Sequence, residues 1–235
     1  MSDAEPRGPL AGALAELRAD PGAAGWCRLP FFADGSADAV ADAIDRAGVA
    51  LAPPPAATFR ALRLTPLEEV RAVILGQDPY PRAGDANGLA FSYVGRRAVP
   101  PSLRAILAEL AADQAIAPPA GGDLTPWARA GVLLLNAALT TETGRAGAHL
   151  KLGWSALADQ AVAAVSAGRP AVAFVLWGAT ARARAALIDR GKHLVVESGH
   201  PSPLNRARDF AGTRPFGRAN AWLSSRGLEP IDWRL

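Results

Sequence analysis

Three residues invite a chemical reading: Asp78, Asn136 and His200. Each stands just past a short apolar run: residues 72–75 lead into Gly76-Gln77-Asp78, residues 132–135 into Asn136, and residues 194–196 through Glu197-Ser198-Gly199 to His200. A carboxylate fixed at such a place can orient a water or stabilise developing positive charge. Its plain structural alternative is an Asx turn on neighbouring amides. Asn136 offers one donor and one acceptor to the edge of a planar base, or else a buried amide or a helix cap. His200 is a neutral donor, a general acid or base, or simply a turn histidine. Tyr80 and Phe91, on the loop after the first run, can wall or stack a planar ligand, or sit in the core. Leu204, between Pro203 and Asn205-Arg206, has the character of an apolar wedge, with burial as the more ordinary fate of a leucine.

These side chains need elements to hold them. A fourth apolar run, residues 172–177, ends in Trp177-Gly178. All four runs are continuous rather than alternating, which suits strands covered on both faces. Helical spacing predicts helices over residues 102–112, 154–167 and 179–190, between the runs. Strands alternating with helices give an α/β fold with a mainly parallel sheet and helices on both sides. Ligands bind beyond the carboxyl ends of strands in such sheets, so Asp78, Asn136 and His200 are expected at one edge.

Towards the N-terminus, residues 38–47 have helical spacing, Pro53-Pro54-Pro55 stops any helix, and Thr65 opens an acidic turn as a cap. Residues 1–20 are expected to be loosely held or helical at their end. No repeat or low-complexity linker divides the 235 residues, so one domain is expected.

Composition narrows the function. Half the residues are apolar, but no stretch nears the ~20 needed to span a membrane. The first ten residues lack the apolar segment of a secretory signal, so a cytoplasmic protein is expected. Cys27 is the only cysteine, and His149, His193 and His200 have no metal-ligand spacing, so no metal centre or disulfide is expected. The net charge of +3 and pI near 9.6 lean weakly towards a polyanionic partner. Heavy use of Ala, Arg, Gly and Pro, as in a GC-rich genome, accounts for the charge equally well.

Taken in order, the segments are specific. GQDPY at 76–80, GLAFS at 88–92, PPSL at 100–103, GVLLLNAALT at 131–140, HLKLGW at 149–154, VLWG at 175–178, HPSPL at 200–204 and IDW at 231–233 resemble the family-1 uracil-DNA glycosylases. The resemblance spans residues 53–233 and implies a three-layer α/β/α sandwich around a short, mainly parallel sheet. It implies a monomeric enzyme without cofactor that flips uracil from single- or double-stranded DNA and hydrolyses its N-glycosidic bond, the first step of base-excision repair on the nucleoid.

It also implies roles. Asp78 would orient water and stabilise the sugar cation. His200 would hydrogen-bond uracil O2, and Asn136 would read N3–H and O4, its amide held in one orientation by neighbours. Gln77 would act through its backbone, Phe91 would stack on the ring and Tyr80 would block thymine's methyl. Pro100, Pro101, Ser102, Gly178, Ser202, Pro203 and Arg206 would contact DNA, and Leu204 would fill the gap left by the flipped nucleotide. Lys151 and Lys192 match no nucleophile.

The sequence departs from the family at Pro81 and Asn87, where histidines are usual, at Ala179, usually serine, and over residues 205–216. Two alternatives follow: a glycosylase for several deaminated bases, and a binding protein that senses uracil without cutting.

Overall fold

The computed structural model describes residues 8–235. The four apolar runs are strands: β1 (Ala72–Gly76), β2 (Val132–Asn136), β3 (Ala173–Trp177) and β4 (Leu194–Ser198). They pair in the order β2-β1-β3-β4, each pair parallel. Every residue of β1, β2 and β3 is buried. Successive strand side chains point to opposite faces, so full burial requires cover on both sides. β4 lies at an edge and alternates accordingly, with Val196 and Ser198 buried and Glu197 exposed.

The longer helices are α1 (Pro9–Ala19), α2 (Ser36–Ala47), α3 (Pro101–Gln114), α4 (Trp154–Gly168) and α5 (Pro215–Ser225). Pro101 opens α3, where a missing N–H leaves no bond unmade. α5 packs on α3 and on β3 and β4. A two-stranded ribbon, Leu51–Ala52 with Thr141–Glu142, lies apart from the main sheet.

Of the two N-terminal expectations, the helical one describes the chain. Residues 1–7 lie outside the described residues, but from Pro9 the chain is a packed helix. Leu10, Ala13, Leu14 and Leu17 are buried on one stripe. The first free amides of α1, Leu10 and Ala11, donate to the two carboxylate oxygens of Asp45 on α2, at 3.0 and 2.9 Å. A cap supplied by another helix leaves no local signature in the sequence.

Two further elements differ from expectation. Thr65 does not cap the acidic turn; Pro66 holds that position, and the Thr65 hydroxyl donates to the Ala128 carbonyl. The helix expected over residues 179–190 is one α turn, Ala179–Arg182, followed by a tighter 3-10 stretch, Ala183–Leu187. There Arg184 turns inward, its Nε 2.7 Å from Asp159 of α4 and its Nη1 donating to the Thr180 carbonyl. Propensity cannot register a partner that distant.

Candidate active site

Parallel pairing carries the ends of all four strands to one edge. A cavity of about 260 Å³ opens there, lined by Gln77, Asp78, Tyr80, Phe91, Ser102, Asn136 and His200. Seven of the expected site residues therefore meet in one space. They come from the end of β2, the loops after β1 and β4, and the first turn of α3.

Asp78 is half-buried. Its Oδ2 accepts from the backbone N–H of Gly147 at 2.7 Å, 69 residues away in sequence. This long-range bond, not a local Asx turn, fixes the carboxylate. Burial raises its pKa above the ordinary carboxylate value, and the Gly147 N–H partly opposes that rise.

His200 accepts at Nδ1 from the Ser202 N–H, at 3.0 Å. An accepting Nδ1 in a neutral ring puts the proton on Nε2. Burial pushes the imidazole pKa down, which favours that neutral ring. The loop thus sets the tautomer as well as the position, and leaves an N–H donor at the cavity.

Asn136 closes β2 beside Gly76 of β1. A Cβ built on Gly76 would collide with Asn136 Oδ1 and approach Ala90 Cβ to 3.0 Å. Gly76 therefore makes room for the amide; it is the last residue of a regular strand rather than part of a turn. The Asn136 amide is held by packing and faces the cavity.

Phe91 has φ +62°, a left-handed conformation that costs a non-glycine residue about 1–3 kcal/mol. Its ring lies edge-on to Trp177, centroids 5.5 Å apart, and 5.9 Å from the His200 ring. The Tyr80 hydroxyl donates to the Phe91 carbonyl at 3.2 Å, and its ring meets Tyr93 edge-on at 5.8 Å. Burial raises the Tyr80 pKa, so the phenol stays protonated and holds this bond. The aromatic wall is thus tied to the strained turn by one hydrogen bond.

Asn87 lies outside the cavity. Its buried Nδ2 donates to Asp123 Oδ1 at 3.0 Å, and its Oδ1 accepts from the Leu89 N–H at 3.4 Å. Asp123 also accepts from the Ser92 hydroxyl and the Thr125 N–H. Asn87 therefore braces the loop that presents Phe91. Of the two departures that suggested a broader base range, only Pro81 borders the cavity.

The expected DNA contacts lie around the cavity's mouth. Pro100 and Pro101 sit beside Ser102 at the start of α3. A second cleft, about 410 Å³, adjoins His200 and is lined by Gly178, Ser202 and Leu204 among others. Pro203 and Arg206 are exposed on the same loop, and Leu204 is 89% exposed, which overturns burial as its fate.

Sequence reasoning missed Ala86, Leu89, Ser92 and Ala146, which also line the cavity, and Gly147, which holds Asp78. The first three fall in or beside the GLAFS segment. Nothing local marks Ala146 and Gly147, whose loop reaches Asp78 only through the fold. His149 and His193 have structural partners: His149 Nδ1 meets the Thr140 hydroxyl at 2.9 Å, and His193 accepts from the Val172 N–H at Nδ1.

Comparison with known proteins agrees with this geometry. The family model described as the uracil DNA glycosylase superfamily matches residues 63–224. The chain is 53% identical over 189 residues to the uracil-DNA glycosylase of Oleidesulfovibrio alaskensis, covering 77% of this chain and 81% of that protein. It is 50% identical over 186 residues to the one from Chromobacterium violaceum, covering 79% and 78%. The crystal structure of mimivirus uracil-DNA glycosylase superposes with a TM-score of 0.82 at 26% identity, over 94% of this chain and 89% of that one. With strand order, cavity and sequence in accord, the chain belongs to the uracil DNA glycosylase superfamily.

Proposed function

We propose that this chain removes uracil from DNA by hydrolysing the N-glycosidic bond, leaving an abasic site. The observation that carries this is the meeting of Asp78, Asn136 and His200 at one cavity, each with its orientation fixed by a different neighbour. At about 260 Å³ the cavity is just below the ~300–1,000 Å³ of drug-sized sites, a size suited to one flipped base.

In this mechanism Asp78 receives a water with the carboxylate oxygen that Gly147 leaves free, and faces the sugar cation as the bond to the base lengthens. His200 donates from Nε2 to uracil O2 and stabilises the departing uracilate; as a neutral ring it does so without giving up its proton. Asn136 accepts from N3–H and donates to O4. Cytosine reverses that pattern and would leave buried polar groups mismatched. Phe91 stacks on the ring, and Tyr80 occupies the space of a thymine methyl. Gln77, its carbonyl bonded to the Ala138 N–H at 2.9 Å, contributes through backbone alone.

Pro100, Pro101, Ser102, Gly178, Ser202, Pro203 and Arg206 grip the strand, and Leu204 fills the vacated stack. The chemistry stops at base release: the enzyme is monofunctional and acts as a monomer on nucleoid DNA in a bacterial cytoplasm. The bacterial relatives support that setting. A contiguous apolar core supports one domain.

The direct test is release of uracil from single- and double-stranded oligonucleotides with chelator present. Asp78→Asn is expected to fold normally and to lower release by about 10²–10⁴-fold. Near wild-type release by that variant would remove Asp78 from its role. Tight binding to uracil DNA with no abasic product from the wild type would favour a sensor instead.

A further inference from the structure

The loop that carries His200 and Leu204 is closed by a side chain with no role so far, Asp209. Its Oδ1 accepts from Asn205 Nδ2 at 2.9 Å. The same oxygen lies over the Cα of Gly199, where an added Cβ would collide with both Asp209 Oδ1 and Asn205 Nδ2. Gly199 is not among the glycines with positive φ, so space rather than conformation demands glycine there. Gly199 immediately precedes His200, and Asn205 immediately follows Leu204. One carboxylate therefore joins the two ends of the functional loop.

Bonds inside the loop extend the closure. Asn205 N–H donates to the Ser202 carbonyl at 2.9 Å, and Leu204 N–H to the Ser202 hydroxyl at 3.2 Å. Ser202 N–H in turn holds His200 Nδ1. The Leu204 end and the histidine end thus share Ser202 as a common partner.

We propose that Asp209, acting through Asn205 and Gly199, is a positioning residue that holds His200 and Leu204 in one preorganised loop. Fixing the loop before DNA binds removes an ordering cost from the step that flips the base. The inference rests on the roles given to His200 and Leu204 above.

The test compares kcat and KM on uracil-containing duplex and single-stranded oligonucleotides. Asp209→Ala is expected to lower duplex kcat about tenfold or more, with a smaller loss on single strands, where no stack needs filling. Asp209→Asn keeps an oxygen for Asn205 and is expected to restore most of the rate. Gly199→Ala should be harmful in the wild type and add less once Asp209 is alanine, because Asp209 Oδ1 is gone and the Asn205 amide, no longer held by it, is free to turn away. If Asp209→Ala does not fold, Asn205→Ala breaks the same bond from the other side and should reproduce the duplex-selective loss.

Wild-type kinetics in Asp209→Ala, or equal behaviour of the Ala and Asn variants, would overturn the proposal; the second would point to a charge effect. Additive losses with Gly199→Ala would also overturn it. His200→Ala and Leu204→Ala separate the two levels. If neither changes release, the underlying roles fail; if both cripple it while Asp209→Ala does not, only the loop closure fails.

Discussion

At the scale of single residues, the proposed mechanism depends on two groups that must both have lost their acidic proton. In the proposed mechanism Asp78 works as a carboxylate, and burial moves its titration above the ordinary 3.8; His200 works as a neutral ring, and burial moves its titration below the ordinary 6.5. Acid therefore attacks both: it protonates the carboxylate and charges the imidazole. Uracil release is expected to hold level above pH 6.5 and to fall at acid pH with a limiting slope steeper than one proton. A pH profile of kcat/KM checks this, and a single-proton acid limb would remove one group from the chemistry.

Stability carries the opposite sign for Asp78. A raised carboxyl pKa means that the folded state binds more protons, so stability falls as pH rises from 3.8 through the folded value. Asp78→Asn should thus be somewhat more stable than wild type at neutral pH by thermal melting. Asp78, Asn136 and His200 were legible in the sequence because each follows an apolar run that could only be a buried strand. Gly147 was not, because its contact with Asp78 spans 69 residues and involves only a backbone N–H.

At the scale of elements, strands were easier to read than loops. Continuous Val, Ile and Leu runs force burial on both faces, whereas the ends of helices answered to partners far away in sequence. The loop from residue 85 to 93 illustrates the difference. Its strained Phe91 is held by Tyr80 on one side and, through Asn87 and Ser92, by Asp123 on the other. Asp123→Ala leaves the buried Asn87 amide without its acceptor, an expected loss of about 1–3 kcal/mol in denaturant unfolding. The rate of uracil release should fall with it, because the loop that presents Phe91 loses its brace. Unchanged stability would mean that the Asp123 bonds are replaced by water at no cost.

At the scale of the molecule, the sheet was predictable, whereas the bond that pins the first helix was not. Alternating strands and helices point to a parallel sheet, but the packing of α1 depends on a carboxylate from α2. Asp45→Ala removes the acceptor of two helix amides and is expected to cost about 0.5–2 kcal/mol of stability. Release of uracil at moderate temperature should be unaffected, since α1 contributes nothing to the cavity lining. At the other end, the Trp127 indole N–H donates to the Trp233 carbonyl at 2.8 Å, and the two rings meet edge-on. That tether explains why the IDW segment near the C-terminus belongs to the recognisable pattern although it lies far from the chemistry.

The pairing of Gly76 with Asn136 has a consequence for how such a chain can change over time. The amide proposed to read the base occupies the room a neighbouring strand leaves by having no side chain. Any replacement at position 76, even alanine, would push that amide aside while every ligand-facing atom kept its identity. Drift is therefore barred at a cavity-lining position that has no side chain to offer the base, and one added methyl there would be enough to blind the pocket.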